Sequence, residues 1–362
     1  MKQLIVLYDI DSRIPNFALM KISSYYKNQG CEVILSRCTH GIKYLEADKY
    51  YASTVFSCYQ HSQKCIQKLR EYYAENIEIG GSGIDLKKRL LPEIENCFPD
   101  YQLYGHDKYA IGFLTRGCYR RCPFCLVPLK EGKIRRVDTF DNFVPARQSN
   151  VMLLDDNLLS YSESEALLSE IIEKNISVNF SQSLDISYVN DYNYQLIKQI
   201  DSRNARFNKK MYYFSCNNTK TIDEFINRER FLRDLGKGAV TVIVMFGYNT
   251  SLSEDYQILL MLKNLRLIPF LQEYMPIPGV SAKMPDNYFD YDLNEVIKLR
   301  FISNGYNWEK YLKWVNNLYY STFGKYYLPL LEILFRYNNK HKMQWYRARP
   351  KELTKELYRI YR

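Results

Sequence analysis

The chain of 362 residues has no apolar run long enough to span a bilayer. It also lacks an internal repeat and a low-complexity linker. Its first segment, MKQLIVLYDIDSR, meets acidic residues after a short apolar stretch and contains no small-residue cleavage site, so it predicts a β-strand and not a signal peptide. With 46% apolar and 25% charged residues, the composition is that of a soluble globular protein. We expect a cytoplasmic protein without a membrane partner.

The cysteines lack the even number and regular spacing of a disulfide framework. The nine cysteines are irregularly spaced, which indicates a reducing compartment. Six of them are interpreted as small buried apolar side chains: Cys31, Cys38, Cys58, Cys65, Cys97 and Cys216. The other three lie close together in the segment GFLTRGCYRRCPFCLVP, residues 112–128.

Alternating strand and helix patterns predict an α/β fold in three parts. Residues 1–105 are expected to form a Rossmann-like parallel sheet, 106–277 a partial (βα)6 barrel, and 278–362 a mostly helical C-terminal region. The six barrel strands are predicted at 109–115, 150–154, 177–185, 210–218, 239–249 and 268–277. One continuous helix, closed by Gly236, is predicted at 221–236. In such barrels the chemistry takes place at the carboxyl ends of the strands.

Cys118, Cys122 and Cys125 have the spacing C-x3-C-x2-C, directly after the first barrel strand. Thiolates are ligands for zinc or for iron–sulfur clusters. A structural zinc site needs four ligands, but the nearest histidine, His106, precedes the strand, and no second C-x2-C or H-x3-H pair exists. Three thiolates suit a [4Fe–4S] cluster with one open iron. The alternatives are a zinc knuckle and three unrelated cysteines.

With Phe124 just before the last cysteine, this motif resembles that of the radical S-adenosylmethionine (SAM) superfamily. The resemblance implies that Cys118, Cys122 and Cys125 ligate a [4Fe–4S] cluster whose open iron binds the amino and carboxylate groups of SAM. One electron then breaks a carbon–sulfur bond of SAM. The resulting 5′-deoxyadenosyl radical abstracts a hydrogen atom from a substrate. Gly117 would permit the tight turn of the cysteine loop.

The resemblance also implies which strand-end residues contact SAM. The family often carries a glycine pair and an acid after the second strand, whereas this chain reads LLDDN, with acids and an amide but no glycine. The expected SAM-binding residues are Asp155, Asp156, Asn157, Ser181, Gln182, Asp185, Ser215, Asn217, Gly247, Lys133 and Arg135. Lys130 is an equal candidate for the SAM carboxylate. For each of these residues, an ordinary polar group at a strand end is the alternative.

The arrangement of an N-terminal Rossmann-like domain before the barrel resembles the radical SAM subgroup with a B12-binding-type domain. Such domains often use the motif Asp-x-His-x-x-Gly, in which the histidine ligates cobalt. Here the first strand leads into DIDSRIPN without a histidine, and His40 and His61 lie in other contexts. We expect a B12-binding-type fold that does not bind cobalamin. The alternative is cobalamin bound without a histidine ligand.

Two alternative functions are considered beside the radical SAM enzyme. Methylthiotransferases, which modify tRNA or protein, have a similar motif but carry a second cluster on three N-terminal cysteines and a C-terminal RNA-binding β-domain. Cys31, Cys58 and Cys97 lack the contexts of those ligands, and the C-terminal pattern is helical. The other alternative is a non-catalytic iron–sulfur redox sensor, which needs a cluster but no SAM pocket.

The substrate is not identified by the sequence. A net charge of +10 and a basic, aromatic tail are compatible with nucleic acid or a nucleotide, and a peptide or small metabolite is the alternative. The tail residues considered are Lys340, Lys342, Arg347, Arg349 and Lys351, with Trp345 and Tyr346 between them. Radical SAM chemistry implies an electron donor of the flavodoxin or ferredoxin type and sensitivity to oxygen.

Overall fold

The computed structural model describes most of the first 273 residues, which divide into two compact units, one up to Tyr212 and one from Tyr213 onward. The described residues are 2–56, 60–106, 108–246, 254, 257–258, 261–262 and 264–273. The predicted C-terminal region, 278–362, lies outside them. Within the described residues, no helix has the length and apolar character needed to cross a bilayer.

The first unit begins with a parallel four-stranded sheet. Its strands are β1 (Leu4–Asp9), β2 (Glu32–Arg37), β3 (Lys49–Ser53) and β4 (Ile77–Gly80). They are ordered β2-β1-β3-β4, and every pair is parallel. The helices of this part are α1 (Phe17–Asn28), α2 (Gln60–Tyr73) and the short α3 (Pro92–Glu95). The prediction of an α/β fold with a parallel sheet is confirmed.

Alternate side chains of β1 pack on opposite faces of this sheet, which explains why the strand is apolar throughout. Ile5 and Leu7 lie in the core cluster that includes residues of α1, among them Leu19. Val6 and Tyr8 lie in the cluster that includes Leu69 and other residues of α2. One continuous apolar strand therefore contributes side chains to the core on both faces of the sheet.

A second parallel sheet completes the first unit. Its strands are β5 (Ala110–Gly112), β8 (Asn150–Leu153), β9 (Ser177–Phe180) and β10 (Asp201–Ser202), ordered β10-β9-β8-β5. Between β5 and β8 in the chain lie β6 (Thr115–Arg116), α4 (Val127–Lys130) and β7 (Arg135–Arg136). The helices α5 (Ser164–Glu173) and α6 (Asp191–Gln199) follow β8 and β9. The sequence did not predict the two-residue strand β10.

The strand predicted at 109–115 is broken in the structure. Strand β5 ends at Gly112, and Thr115 and Arg116 form β6, which pairs antiparallel with β7. The break occurs because the backbone amides of Leu114 and Thr115 donate to the Asp155 carboxylate, at 3.1 and 2.5 Å, instead of continuing a strand ladder. The chain therefore turns away from the sheet just before the cysteines.

The strand predicted at 177–185 is shorter than expected. Strand β9 ends at Phe180, and Ser183 has a positive φ of 72°. Asp185 then caps a turn of 3-10 helix, because its carboxylate accepts a hydrogen bond from the Ser187 amide at 3.1 Å. The last residues of the predicted strand therefore form a loop beyond the carboxyl end of the sheet.

The remaining predicted strands lie in the second unit, apart from Tyr212, the first residue of the first of them. They are β11 (Tyr212–Cys216), β12 (Val240–Phe246) and β13 (Ile268–Glu273), ordered β11-β12-β13, with β12 and β13 parallel. The helix predicted at 221–236 is instead two helices, α7 (Ile222–Asn227) and α8 (Glu229–Asp234). Arg228 separates them with φ −109° and ψ 21°, while its guanidinium pairs with Glu224 one turn earlier. Gly236 follows α8 with φ +109°.

Candidate metal centre

The three-cysteine loop occupies residues 117–126, between β6 and α4, and lies beyond the carboxyl end of β5. Its base is closed by a hydrogen bond from the Cys118 amide to the Gly132 carbonyl at 3.3 Å. Inside the loop, the Cys125 amide donates to the Cys122 carbonyl at 3.0 Å. All three cysteines are half-buried and have free thiols. The loop therefore stands where a parallel α/β sheet places its functional residues.

Three N–H groups point at sulfur atoms of this loop. The Arg120 amide lies 3.3 Å from Cys118 Sγ, and the Val127 amide lies 3.4 Å from Cys125 Sγ. The side-chain amide of Asn157 adds a third donor, with Nδ2 3.4 Å from Cys118 Sγ. Such donors stabilise negative charge on sulfur, which is the environment that thiolate ligands of metal clusters require.

Burial also affects the ionisation of these thiols. It raises the pKa of Cys122, and it raises the pKa of Cys125 to about 11, while the neighbouring thiols act in the same direction. Both side chains are therefore protonated at neutral pH when no metal is bound. Because metal ions bind thiolates, occupation of the loop must release these protons.

The acidic segment after β8 supports the approach to the loop. Asp155, 5% exposed, accepts hydrogen bonds from the amides of Leu114 and Thr115 and, at 2.7 Å, from Thr115 Oγ1. Asp156 accepts from the Gly117 amide at 2.8 Å. Burial raises the pKa of each carboxyl to about 6, although these donors act in the opposite direction. Both carboxylates therefore hold the chain that leads into the cysteines.

Arg120 anchors the middle of the loop to the segment after β9. Its Nε lies 2.5 Å from Asp185 Oδ2, and Nη2 donates to Asp185 Oδ1 at 3.2 Å and to Ser187 Oγ at 2.7 Å. Its guanidinium carbon also lies 5.7 Å from the centroid of the Tyr188 ring. The sequence placed Asp185 among the strand-end residues but did not identify Arg120 as its partner. An arginine between two of the cysteines was the available signal.

A chain of alternating charges joins the loop to the first sheet region. Glu95, at the end of α3, accepts from Arg116 Nη2 at 3.1 Å, and Arg116 Nη1 lies 3.7 Å from Glu131 Oε1. Lys130 Nζ lies 3.5 Å from the same Glu131 oxygen and donates to Ser82 Oγ, after β4, at 2.7 Å. The other oxygen of Glu131, Oε2, is buried and has no hydrogen-bond partner within the described part of the chain. Sequence reasoning missed this glutamate.

Several predicted SAM-binding residues either form hydrogen bonds with other parts of the chain or are exposed to solvent. The Ser181 hydroxyl donates to the Leu153 carbonyl at 2.7 Å, and Gln182 is exposed. Lys133 and Arg135 are exposed in the segment that returns from the loop, and Arg135 Nη1 donates to the Glu131 carbonyl at 2.7 Å. The structure therefore brings Asp155, Asp156, Asn157 and Asp185 to the cysteine loop or to the segment that enters it. The backbone of Lys133 also lies against Gly117.

The remaining predicted residues belong to the second unit or lie outside the description. Ser215 is a half-buried residue of β11, and Asn217 follows that strand. Gly247 and the basic residues of the tail lie outside the described residues, as does Cys58. Their roles stay predictions.

At the carboxyl edge of the first sheet, polar groups of the surrounding loops form hydrogen bonds with one another. The Asp11 carboxylate accepts from Thr54 Oγ1, the Val55 amide and Ser62 Oγ, each at 2.7 Å. A Cβ at Gly81, which has φ +100°, would lie 2.2 Å from the Thr54 carbonyl oxygen. The glycine turn after β4 is therefore required by the packing of the chain against itself.

Comparison with solved structures gives distant similarities. No protein-family model matches the chain, and no curated protein matches it. The crystal structure of Streptococcus suis SuiB bound to S-adenosylmethionine matches 68% of this chain and 53% of that chain, with 12% sequence identity and a TM-score of 0.35. The chain thus spans about half the length of the structure that it matches.

The cysteine loop is the candidate metal centre. Within the described part of the chain, no group of three or more His, Cys, Asp or Glu side chains is already arranged around a metal position. The donor set nevertheless fits an iron–sulfur cluster, because it consists of three thiols in one loop with N–H donors directed at two of them. The buried oxygen Oδ1 of Asn157, beside the loop, has no hydrogen-bond partner in the described structure.

Gly117 gives a direct test of how the loop is formed. It has φ +94°, and an added Cβ would lie 2.5 Å from the Lys133 carbonyl oxygen. Gly132 also has a positive φ, +73°, but no described atom lies within 4 Å of an added Cβ there. Alanine at either position costs about 1–2 kcal/mol for the left-handed backbone. Gly117→Ala should lower the free energy of unfolding by about 1–3 kcal/mol more than Gly132→Ala, because of the overlap.

Urea denaturation of the two variants, prepared in parallel with the wild type, measures this difference. Equal losses of stability in Gly117→Ala and Gly132→Ala would show that the close approach of the Gly117 and Lys133 backbones does not form.

Proposed function

We propose that this chain is a radical SAM enzyme in which Cys118, Cys122 and Cys125 hold a [4Fe–4S] cluster. The observation that carries the proposal is the position of the C-x3-C-x2-C loop. It follows β5 beyond the carboxyl end of a parallel sheet, and the acidic and amide side chains that follow β8 contact it. This position supports the resemblance of the motif to that of the radical SAM superfamily.

When bound by three thiolates, a [4Fe–4S] cluster supplies one electron and an iron atom with an open position for SAM. The chain supplies the surroundings. Three N–H groups direct positive dipole ends at the sulfur atoms, and Arg120 ties the loop to Asp185. Asn157 Oδ1 is a buried acceptor without a partner in the described structure, next to the loop. It is the acceptor that we assign to the ammonium group of SAM.

The rest of the proposal follows the resemblance. Residues 106–277 would form the partial barrel, and residues 1–105 a B12-binding-type domain that does not bind cobalamin. A flavodoxin or ferredoxin would deliver the electron. The substrate class, nucleic acid or nucleotide against peptide or small metabolite, is open. Lys133 and Arg135, which return from the loop on its exposed side, are proposed for the SAM carboxylate.

The function is tested under anaerobic conditions. The full chain is reconstituted with iron and sulfide, SAM and dithionite are added, and 5′-deoxyadenosine is quantified beside Cys122→Ala. We expect product from the wild type and none above the enzyme-free level from the variant. A wild type that holds a cluster but binds no SAM in equilibrium dialysis would contradict the proposal and favour a redox sensor.

A further inference from the structure

Asn157 occupies a position between a cysteine of the loop and a carboxylate. Its side chain is almost fully buried, with the residue 6% exposed. Nδ2 lies 3.4 Å from Cys118 Sγ and 3.4 Å from Asp185 Oδ2. Both neighbours are acceptors, and a primary amide nitrogen carries two hydrogens. One amide group can therefore serve the sulfur and the carboxylate together.

This geometry decides the orientation of the amide. If the group were rotated by half a turn, Oδ1 would face both the sulfur and the carboxylate, and three acceptors would meet in a buried place. The present orientation leaves only Oδ1 without a partner in the described structure. Asn157 is thus a donor toward Cys118.

The donor is held in place from both sides. The backbone carbonyl oxygen of Asn157 accepts from the Ser160 amide at 3.0 Å and from Ser160 Oγ at 2.9 Å. The carboxylate of Asp185 is oriented by Arg120, through contacts of 2.5 and 3.2 Å. These contacts hold Asn157 beside Cys118, with the N–H dipole of its side chain directed at the sulfur.

We propose that Asn157 is a positioning residue that raises the reduction potential of the bound cluster through its N–H···S hydrogen bond to Cys118, an inference that rests on the proposed function. Reduction adds one electron to the cluster, and part of the added negative charge falls on the cysteine sulfurs. A donor directed at sulfur stabilises this reduced form more than the oxidised form. Loss of the donor must therefore lower the potential.

The test is an EPR-monitored redox titration of the reconstituted full chain and of Asn157→Leu, which has a similar volume but no donor. We expect the ratio of reduced to oxidised cluster at a fixed potential to fall about tenfold, which is about 59 mV for a one-electron couple. The matched control is Asn179→Leu. Asn179 is 2% exposed, and its Nδ2 donates to the Arg203 carbonyl at 2.7 Å, away from the cysteines. The reduction potential of the cluster in Asn179→Leu should equal that of the wild type.

Each outcome separates this inference from the proposed function. A wild type without a cluster overturns both. If Asn157→Leu holds its cluster at the wild-type potential, the inference is wrong and the proposed function stands. If Asn157→Leu loses its cluster, Asn157→Ala is titrated instead, since it lacks the donor and cannot be overpacked. Loss of the cluster from both variants, while Asn179→Leu keeps it, would make Asn157 a requirement for assembly, and the inference would be wrong.

Discussion

Alanine in place of Cys118, Cys122 or Cys125 is expected to leave the reconstituted protein without a [4Fe–4S] cluster. Bound iron should fall from about four atoms per chain to below about one, and the visible absorbance of the cluster should disappear. The physical reason is that the proposed cluster takes its three thiolate ligands from this one loop, so removal of any one thiol leaves only two. Iron and acid-labile sulfide analysis after anaerobic reconstitution gives the result.

Cys31→Ala and Cys97→Ala are the matched controls for this series. Both residues are half-buried, like the loop cysteines. Cys31 Sγ lies 3.9 Å from Gln3 Oε1, and Cys97 Sγ donates to the Glu93 carbonyl at 3.2 Å. We expect both controls to keep the wild-type iron content. A wild type with about eight irons that loses half of them in these controls would instead favour a second cluster, as in methylthiotransferases.

Asp155→Ala is expected to destabilise the fold more at pH 5 than at pH 7.5. The carboxylate accepts from two backbone amides and a hydroxyl on the segment that enters the cysteine loop, so alanine leaves these buried donors unpaired. The expected loss in free energy of unfolding is about 2–4 kcal/mol at pH 5. Urea denaturation of the wild type and the variant at both pH values measures it.

The pH dependence follows from the raised pKa of Asp155. Burial moves this pKa from 3.8 to about 6, so the folded state binds more protons than the unfolded state between these values. The wild type therefore loses stability as pH rises through about 6, and alanine has no such group to charge. The difference in free energy of unfolding between the wild type and Asp155→Ala should therefore decrease by about 1 kcal/mol from pH 5 to pH 7.5.

Asp141→Ala is the control for the aspartate series. The Asp141 side chain is 82% exposed and pairs with Lys174 at 3.0 Å on the surface. Its loss should change the free energy of unfolding by less than about 0.5 kcal/mol at both pH values. A variant at position 155 that behaves like this control, or that is destabilised more at pH 7.5 than at pH 5, would contradict the interpretation of the buried carboxylate.

The sequence was informative wherever the controlling interactions are local. The continuous apolar run of β1 and the alternation of strand and helix predicted the first sheet, because burial on both faces demands such runs. The same reasoning located all six strands that it predicted after residue 106, although β5 and β9 are shorter than predicted and the two-residue strands β7 and β10 were not predicted. The cysteine spacing and the glycine before it likewise indicated a tight thiol loop, and Gly117 has the required positive φ.

The errors in the fold have physical causes that local patterns do not contain. Strand β5 stops early because Asp155, about forty positions along the chain, captures the amides of Leu114 and Thr115. The helix predicted at 221–236 divides at Arg228, although its apolar spacing continues. Periodicity reports which face a residue prefers, but it does not report which distant side chain competes for its backbone hydrogen bonds.

The sequence alone predicted an α/β fold with parallel sheets, which the structure confirms, and it proposed Cys118, Cys122 and Cys125 as the ligands of the candidate metal centre. Only the tertiary structure decided how the loop is held. Asn157 meets Cys118 across 39 positions of sequence, and Arg120 meets Asp185 across 65. The sequence does not distinguish the polar residues that follow the predicted strands from one another, because each is a polar group after an apolar run. They differ in the structure, where Ser181 is bonded to its own sheet while Asn157 donates to a sulfur, because side-chain hydrogen bonding is fixed by three-dimensional neighbours and not by position along a strand.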